Sequence, residues 1–142
     1  MNLTEHFTLE ELTHTDHREL DNTPNDAELE NIKRLAEFLE QVKTVLGGKP
    51  VMINSAFRSK AVNDAVGSKD TSQHRVGCAA DLRVPGMTPD QVVKAIIASD
   101  LGYQQVIREF DRWTHISIPN KEGDTPKKQA LIIDKAGTRV YA

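Results

Sequence analysis

The stretch that decides the fold runs Ser72-Gln73-His74-Arg75-Val76-Gly77-Cys78-Ala79-Ala80-Asp81, and Trp113-Thr114-His115-Ile116-Ser117 follows it well downstream. Gly77 permits a chain reversal between the histidine and the aspartate of the first stretch, because glycine adopts positive φ angles without a steric penalty. The first stretch therefore predicts a loop that leads into a strand, with Ala79 to Val84 as the strand that carries the aspartate.

A second strand is predicted from Trp113 to Ile118, where His115 alternates with apolar neighbours. Once the chain folds, His74, Asp81 and His115 would bring together two imidazoles and one carboxylate. This donor set suits a zinc ion whose fourth position stays open to water. Structural zinc sites are usually closed by four ligands, often thiolates, whereas Cys78 is the one cysteine of the chain. The donor set therefore predicts a catalytic metal centre.

Several further motifs accompany these two stretches over most of the chain. They are Phe7-Thr8-Leu9-Glu10-Glu11-Leu12, Asp21-Asn22-Thr23-Pro24, Asn54-Ser55-Ala56-Phe57-Arg58-Ser59 and Asn63-Asp64-Ala65-Val66-Gly67. Taken with the two histidine stretches, these motifs resemble the zinc D-alanyl-D-alanine carboxypeptidases and the phage L-alanyl-D-glutamate endopeptidases, which cut the peptide stems of the bacterial cell wall. The similarity is closest to the compact branch that is common in phage and prophage genomes.

The resemblance implies roles for individual side chains. His74, Asp81 and His115 would bind one catalytic Zn²⁺. Arg58 would point at the substrate carbonyl or terminal carboxylate, and the fixed donors of a guanidinium agree with that role. The alternative for Arg58 is an ion pair at a helix start, with Asp64 or another local acid.

Ser72 and Gln73 are the candidate substrate-binding residues. They end a polar, loop-like stretch that begins at Gly67 and that would form one rim of a substrate groove. Their side chains would either hydrogen-bond the substrate or hold the loop.

The general base departs from the pattern Asp/Glu-x-x-His of the better-known branches. Arg112 occupies the acidic position here, and Glu109 and Asp111 are the nearby carboxylates. The residues on either side look like two antiparallel strands. A three-residue loop would pair Glu109 with Trp113 and put it on the face of His115, whereas a two-residue loop would put it on the opposite face. We favour Glu109 as the base, as in the compact branch, with Asp111 as the substitute.

The predicted function is that of a zinc peptidase acting on peptidoglycan stem peptides that contain D-amino acids, with zinc-activated water and a carboxylate base. The resemblance leaves two bonds open, an internal L-alanyl-D-glutamate bond or a terminal D-alanine, and the phage-like branch favours the endopeptidase. Because Arg112 stands where the better-known branches have an acid, a second function stays open: a non-catalytic, zinc-containing module that binds or supports the cell wall.

The composition is that of an ordinary soluble protein, and we expect one domain over residues 1–142. The formal charge of −3, with 27% charged residues, lacks the basic excess that nucleic-acid binding favours. The first residues lack the basic start and apolar run of a secretory signal, and no run is long enough to span a bilayer. We expect a monomer that binds the stem peptide, stays in the cytoplasm as synthesised, and acts on the wall after release.

The order of predicted elements gives an α+β fold, in which a small antiparallel sheet carries the zinc site and helices pack on it. Thr8 is predicted to cap a short helix, and Thr88 a later one. Thr23-Pro24 is predicted to begin the longest helix, which ends at Gly47-Gly48. The remaining predicted features are a buried strand Val51–Ile53, a helix Lys60–Val66, a buried face of Val92, Val93, Ile96 and Ile97, and a last hairpin of Leu131–Ile133 with Arg139–Tyr141 about Lys135-Ala136-Gly137.

Overall fold

The helices lie in about the first two thirds of the chain and the last four elements are strands, all around one sheet. The computed structural model describes residues 1–141. Its helices are α1 (Leu9–Leu12), α2 (Asp26–Val45), α3 (Lys60–Ala65) and α4 (Pro89–Ile97), with a 3₁₀ turn at Gln73–Val76. Its strands are β1 (Met52–Ser55), β2 (Ala79–Arg83), β3 (Gln105–Glu109), β4 (Trp113–Ser117), β5 (Gln129–Asp134) and β6 (Gly137–Val140).

The sheet has six strands in the order β1-β2-β4-β3-β5-β6. Every neighbouring pair is antiparallel except β3 and β5, which run parallel. The parallel pair arises because the chain after β4 returns to the start of β3, where the Lys128 amide donates to the Tyr103 carbonyl at 3.0 Å. The predicted α+β fold is confirmed, and so is the last hairpin, in which Asp134 pairs with Gly137.

One continuous hydrophobic core joins the sheet to α2 and α4. The apolar stripe of α2 supplies Ile32, Leu35, Leu39 and Val42, which are fully buried. Burying such side chains contributes about 1.5–3 kcal/mol each before the entropy cost of ordering them. The outer face of α2 is charged, and within residues 1–141 no helix combines the length and apolarity that crossing a bilayer requires.

The start of α2 differs from the prediction at Thr23-Pro24. The helix begins at Asp26, and Asn25 caps it in a reciprocal arrangement with Glu28. The Asn25 Oδ1 atom accepts from the Glu28 amide at 2.8 Å, and Glu28 Oε1 accepts from the Asn25 amide at 2.9 Å. The Thr23 hydroxyl instead donates to Asp21 Oδ1 at 2.6 Å, so it is unavailable as a cap.

Two other predicted features need correction. The strand predicted as buried at Val51–Ile53 is β1, an edge strand on which the Met52 side chain is 43% exposed. An edge strand has one paired side only, so its residues need not all be apolar contacts of the core. On α4, the capping box of Thr88 with Gln91 is confirmed, but Ile97 is exposed because it is the last residue of the helix.

The turn that connects the 3₁₀ segment to β2 lies directly against α2. Gly77 has φ +84°, and a Cβ there would lie 2.8 Å from Ile32 Cγ1 and 3.0 Å from the Glu28 carbonyl oxygen. Side chains of α2 tie down the same turn, since Asn31 Nδ2 donates to the Val76 carbonyl at 2.9 Å. The long helix therefore fixes the segment that carries His74.

We predict that Gly77→Ala lowers the free energy of unfolding by about 3 kcal/mol, because the new methyl group adds a clash to the penalty for positive φ. Gly86→Ala is the matched control, since Gly86 has φ +86° with nothing within 4 Å of its Cβ position. It should lose only about 1 kcal/mol. Urea unfolding measures both values, and equal losses would contradict the close approach to α2.

Candidate metal centre

Three different elements bring His74, Asp81 and His115 together. His74 lies on the 3₁₀ turn, and Asp81 on β2 is paired in register with His115 on β4. His74 Nε2 lies 3.3 Å from Asp81 Oδ2, and His115 Nδ1 lies 2.9 Å from Asp81 Oδ1. One donor atom from each residue lies within 4.8 Å of the others. The residues that the sequence analysis grouped as a ligand set are therefore neighbours in space.

Hydrogen bonds outside the cluster orient both the His74 ring and its backbone. His74 Nδ1 lies 2.6 Å from the Ala56 carbonyl oxygen. A carbonyl can only accept, so Nδ1 carries the proton and Nε2 presents its lone pair to the cluster. The Ser72 hydroxyl accepts from the His74 amide at 3.3 Å and so caps the turn.

The cluster fits a zinc ion. Zinc bonds of about 2.0–2.1 Å at tetrahedral angles put neighbouring donor atoms about 3.3 Å apart, close to the spacings observed here. The His74 side chain is 3% exposed and the Asp81 side chain 15%, so the donors lie at the bottom of a cavity. Among the described residues no fourth histidine, cysteine or carboxylate belongs to the group. Three protein ligands with one position free are what a hydrolytic zinc site requires.

The protonation states of the cluster also suit metal binding. Burial by itself disfavours ionised Asp81, but His74 and His115 hold the pKa of this carboxyl well below its usual range. Burial lowers the pKa of His74, against the opposing attraction of Asp81. At neutral pH the site therefore presents a carboxylate and a neutral imidazole, the forms that donate electron pairs to a metal.

Glu109 lies beside the cluster, on the face that a three-residue hairpin loop predicts. It pairs in register with Trp113, and its Oε1 atom lies 3.9 Å from His115 Nδ1. Burial, and then repulsion from Asp81, raise the pKa of Glu109. A partly buried carboxylate with a raised pKa has the basicity that a general base needs.

Asp111 does not face this cavity. Its carboxylate pairs with Arg108, with Arg108 Nε at 2.6 Å from Asp111 Oδ1, and its side chain is 63% exposed. Arg112, at the position that is acidic in the Asp/Glu-x-x-His pattern, is also exposed and lies outside the cavity lining. Of the two candidate bases, the structure therefore puts Glu109 beside the cluster of His74, Asp81 and His115.

Arg58 faces the cluster and makes no ion pair with Asp64. Its guanidinium lies 3.9 Å from Asp81 Oδ2, and its side chain is 13% exposed. Asp64 pairs instead with Lys60 at 3.1 Å. The Arg58 Nε atom is buried and has no hydrogen-bond partner in residues 1–141. Arg58 thus has donor capacity left for a group that enters the cavity.

The two candidate substrate-binding residues lie in different places. The cavity above the cluster, of about 520 Å³, is lined by Ser72 but not by Gln73. The Gln73 amide donates to the Ile118 carbonyl at 2.8 Å and to Asn120 Oδ1 at 2.7 Å. These contacts support the loop-holding alternative for Gln73, whereas Ser72 stays a candidate for substrate contact.

Several residues support or line the cavity although the sequence gives no sign of these roles. Asn22 braces the segment around Arg58, because its Nδ2 donates to the Thr13 and Phe57 carbonyls and its Oδ1 accepts from the Ser59 amide. The motif Asp21-Asn22-Thr23-Pro24 marked this residue without revealing its long-range partners. The other lining residues to which the sequence assigned no role in the site are Ser55, Val66, Ser68 and Trp113.

We predict that the protein binds one zinc ion and that His115→Ala lowers the affinity about 100-fold or more. Zinc at 100 times its dissociation constant should stabilise the wild type by about 2.7 kcal/mol, and His115→Ala should lose that gain. His14→Ala, an exposed histidine outside the cluster, is the control and should bind zinc like the wild type. Calorimetric titration and thermal unfolding measure these quantities. Equal zinc affinity in all three proteins would contradict the site.

Comparison with known proteins agrees with this arrangement. No curated protein matches the chain significantly. A family profile described as Peptidase M15 matches residues 5–117, a span that contains the three cluster residues together with Arg58 and Glu109. The match extends over most of the chain, and the cluster fits the metal site of such a peptidase. The chain therefore belongs to the peptidase M15 family.

Proposed function

We propose that the protein is a zinc-dependent peptidase that hydrolyses peptidoglycan stem peptides containing D-amino acids. The observation that carries this proposal is the position of Glu109 in the same cavity as His74, Asp81 and His115. A three-ligand site with a basic carboxylate beside its free position suits hydrolysis of an amide bond.

The chain would hold the ion through His74 Nε2, the Asp81 carboxylate and His115 Nδ1. When bound, the metal supplies Lewis-acid polarisation of the scissile carbonyl and of the attacking water. Glu109 takes the proton from that water and delivers it to the leaving amine. Its raised pKa helps both steps, because a stronger base removes the proton and the resulting acid still returns it.

Arg58 provides the second electrostatic contribution. Its guanidinium is already in the cavity and has an unused Nε–H donor, so it can bind an oxygen that becomes negatively charged as the water attacks. Burial lowers the pKa of Arg58, although Asp81 and then Glu109 oppose that shift. The guanidinium remains charged because its ordinary pKa lies far above neutrality.

The resemblance to the compact phage-type branch favours the endopeptidase over the carboxypeptidase. The residue after the scissile amide carries a carboxylate on its α-carbon in both substrates, because the D-glutamate of the stem is linked onward through its side chain. Arg58 is the one cationic side chain that lines the cavity in the part of the chain described here, and a guanidinium suits either carboxylate. We therefore propose the endopeptidase reaction first, on the resemblance alone, and D-alanine release second.

The alternative function is a non-catalytic, zinc-containing module that binds or supports the cell wall. It was suggested by Arg112 at the usual acidic position. The buried carboxylate of Glu109 speaks against it, because a purely structural zinc site has no use for a basic group beside an open ligand position. A formal charge of −3 gives no support to nucleic-acid binding. A monomer that reaches the wall after release from the cytoplasm remains part of this proposal.

We predict that the zinc-loaded protein releases new amino termini from purified sacculi, and that Glu109→Gln lowers the rate about 100-fold or more. Asp111→Asn removes a carboxylate that faces Arg108 instead of the metal-centre cavity, so it should keep the wild-type rate on a stem peptide that lacks the sugar. Mass spectrometry of the released fragments identifies the bond that is cut. Sacculus binding without any turnover in the wild type would favour the non-catalytic module, and equal loss in both variants would remove Glu109 as the base.

We further predict that Arg58→Lys lowers kcat about 100-fold while zinc content stays the same, because lysine keeps the charge but loses the fixed, forked donors. Arg18→Lys, at an exposed position outside the cavity, is the control and should leave kcat unchanged. Wild-type kcat in Arg58→Lys would show that only its charge matters.

A further inference from the structure

A second cavity lies beside the candidate metal centre, at the tip of the β3–β4 hairpin. Its most prominent feature is an aromatic shelf formed by Phe110 and Trp113, whose ring centroids are 5.9 Å apart with an interplanar angle of 44°. The Phe110 side chain is 44% exposed. The cavity has a volume of about 710 Å³ and is lined by Phe110, Asp111, Arg112, Trp113, Asp134, Lys135 and Ala136.

The backbone under the shelf adopts a conformation that Phe110 does not favour. Phe110 and Asp111 both have φ +53°, the left-handed region that suits glycine or asparagine in a tight hairpin turn. Strand β5 holds the turn in place, because the Phe110 amide donates to the Ile133 carbonyl at 2.8 Å. Core packing does not account for Phe110, since nearly half of the residue is exposed and it lies outside the hydrophobic core. A ligand contact would account for it.

The shelf is continuous with the candidate active site. Trp113 lines both cavities, and His115 follows it by two residues on the same face of β4, about 7 Å along the strand. A substrate whose scissile bond lies at the metal centre would therefore reach the shelf with a group one or two residues away.

We propose that the aromatic shelf binds the N-acetylated sugar to which the stem peptide is attached. This inference rests on the proposed function and adds the part of the substrate that the metal-centre cavity does not hold. Aromatic faces suit the apolar C–H face of a pyranose ring, and the surrounding polar groups suit its hydroxyl and acetamido groups.

The two acids that line the cavity are already paired with arginines outside the lining, Asp111 with Arg108 and Asp134 with Arg139. Arg112 and Lys135 therefore supply the N–H donors of the lining, and such donors suit the hydroxyl and acetamido oxygens of a sugar. A carboxylate of the stem peptide could use the same donors, so the test must compare substrates with and without the sugar.

The distance to the shelf also agrees with the endopeptidase reaction. One residue and a short lactyl group separate the sugar from an L-alanyl-D-glutamate bond, a span comparable with the strand distance from Trp113 to His115. A D-alanyl-D-alanine bond lies three residues farther along the stem, roughly 10 Å more in an extended peptide. A sugar bound on the shelf is therefore compatible with cleavage of the L-alanyl-D-glutamate bond, which lies near the glycan strand, and not with cleavage of the more distant D-alanyl-D-alanine bond.

The test compares a disaccharide-linked stem peptide with the same peptide lacking sugar. We expect Phe110→Asn to lower kcat/KM about tenfold on the sugar-linked substrate and to leave the free peptide unchanged. Phe110→Trp keeps an aromatic face and should retain most of the wild-type rate on both. Asparagine tolerates positive φ, so Phe110→Asn should fold with an unchanged or higher melting temperature.

Trp113 is the one tryptophan of the chain, so its fluorescence reports binding independently of catalysis. N,N′-diacetylchitobiose, a neutral sugar pair, should change the wild-type fluorescence in a saturable way and should not do so in Phe110→Asn. If the wild type cleaves neither substrate but this response is present, the proposed function fails and the sugar subsite stands. Equal loss of kcat/KM on both substrates, or no fluorescence response together with equal rates, would overturn the subsite and leave the peptidase intact.

Discussion

The carboxylate of Asp81 lies between two imidazoles, and the rest of the structure serves to keep it there. Burying an ionised carboxylate costs several kcal/mol unless partners compensate for the lost hydration. His74 and His115 provide those partners at 3.3 and 2.9 Å. Both imidazoles face the same carboxylate, so a cation between the three groups would take the His74 lone pair and replace the hydrogen bond between His115 and Asp81 with ligand bonds. The arrangement has the character of a site prepared for a metal.

Elements that are far apart in the sequence fix the geometry of this cluster. The β2–β4 ladder pairs Asp81 with His115, which fixes their separation by backbone hydrogen bonds alone. His74 needs more support, because it lies on a short turn. Helix α2 presses against Gly77, and the Ala56 carbonyl after β1 fixes the ring. Helix α2, the β2–β4 ladder and the segment after β1 thus together position His74, Asp81 and His115, as expected for a peptidase of the M15 family.

The sequence predicted those features that depend on residues close together in the chain, such as helix caps and the faces of strands. The period-two alternation of strands left two loop lengths open for Glu109, and the structure has the three-residue loop that pairs it with Trp113. Reciprocal caps marked the starts of α1 and α4. The predicted start of α2 was wrong because two capping patterns compete there. Asn25 and Glu28 together bind two backbone amides at the helix start, whereas a Thr23 cap would bind one. The role of Gln73 depends on Ile118 and Asn120, which are distant in sequence, and the parallel pairing of β3 with β5 is likewise a tertiary event. No single-sequence pattern records such contacts.

The central claim is that three protein donors hold one metal ion and leave a position free. Anomalous diffraction at the zinc absorption edge, on crystals of the zinc-loaded protein, tests it most directly. We predict a single strong peak bonded to His74 Nε2, an Asp81 carboxylate oxygen and His115 Nδ1, with solvent completing the coordination. A peak elsewhere in the molecule, or a fourth bond from a protein side chain such as Glu109, would contradict the account.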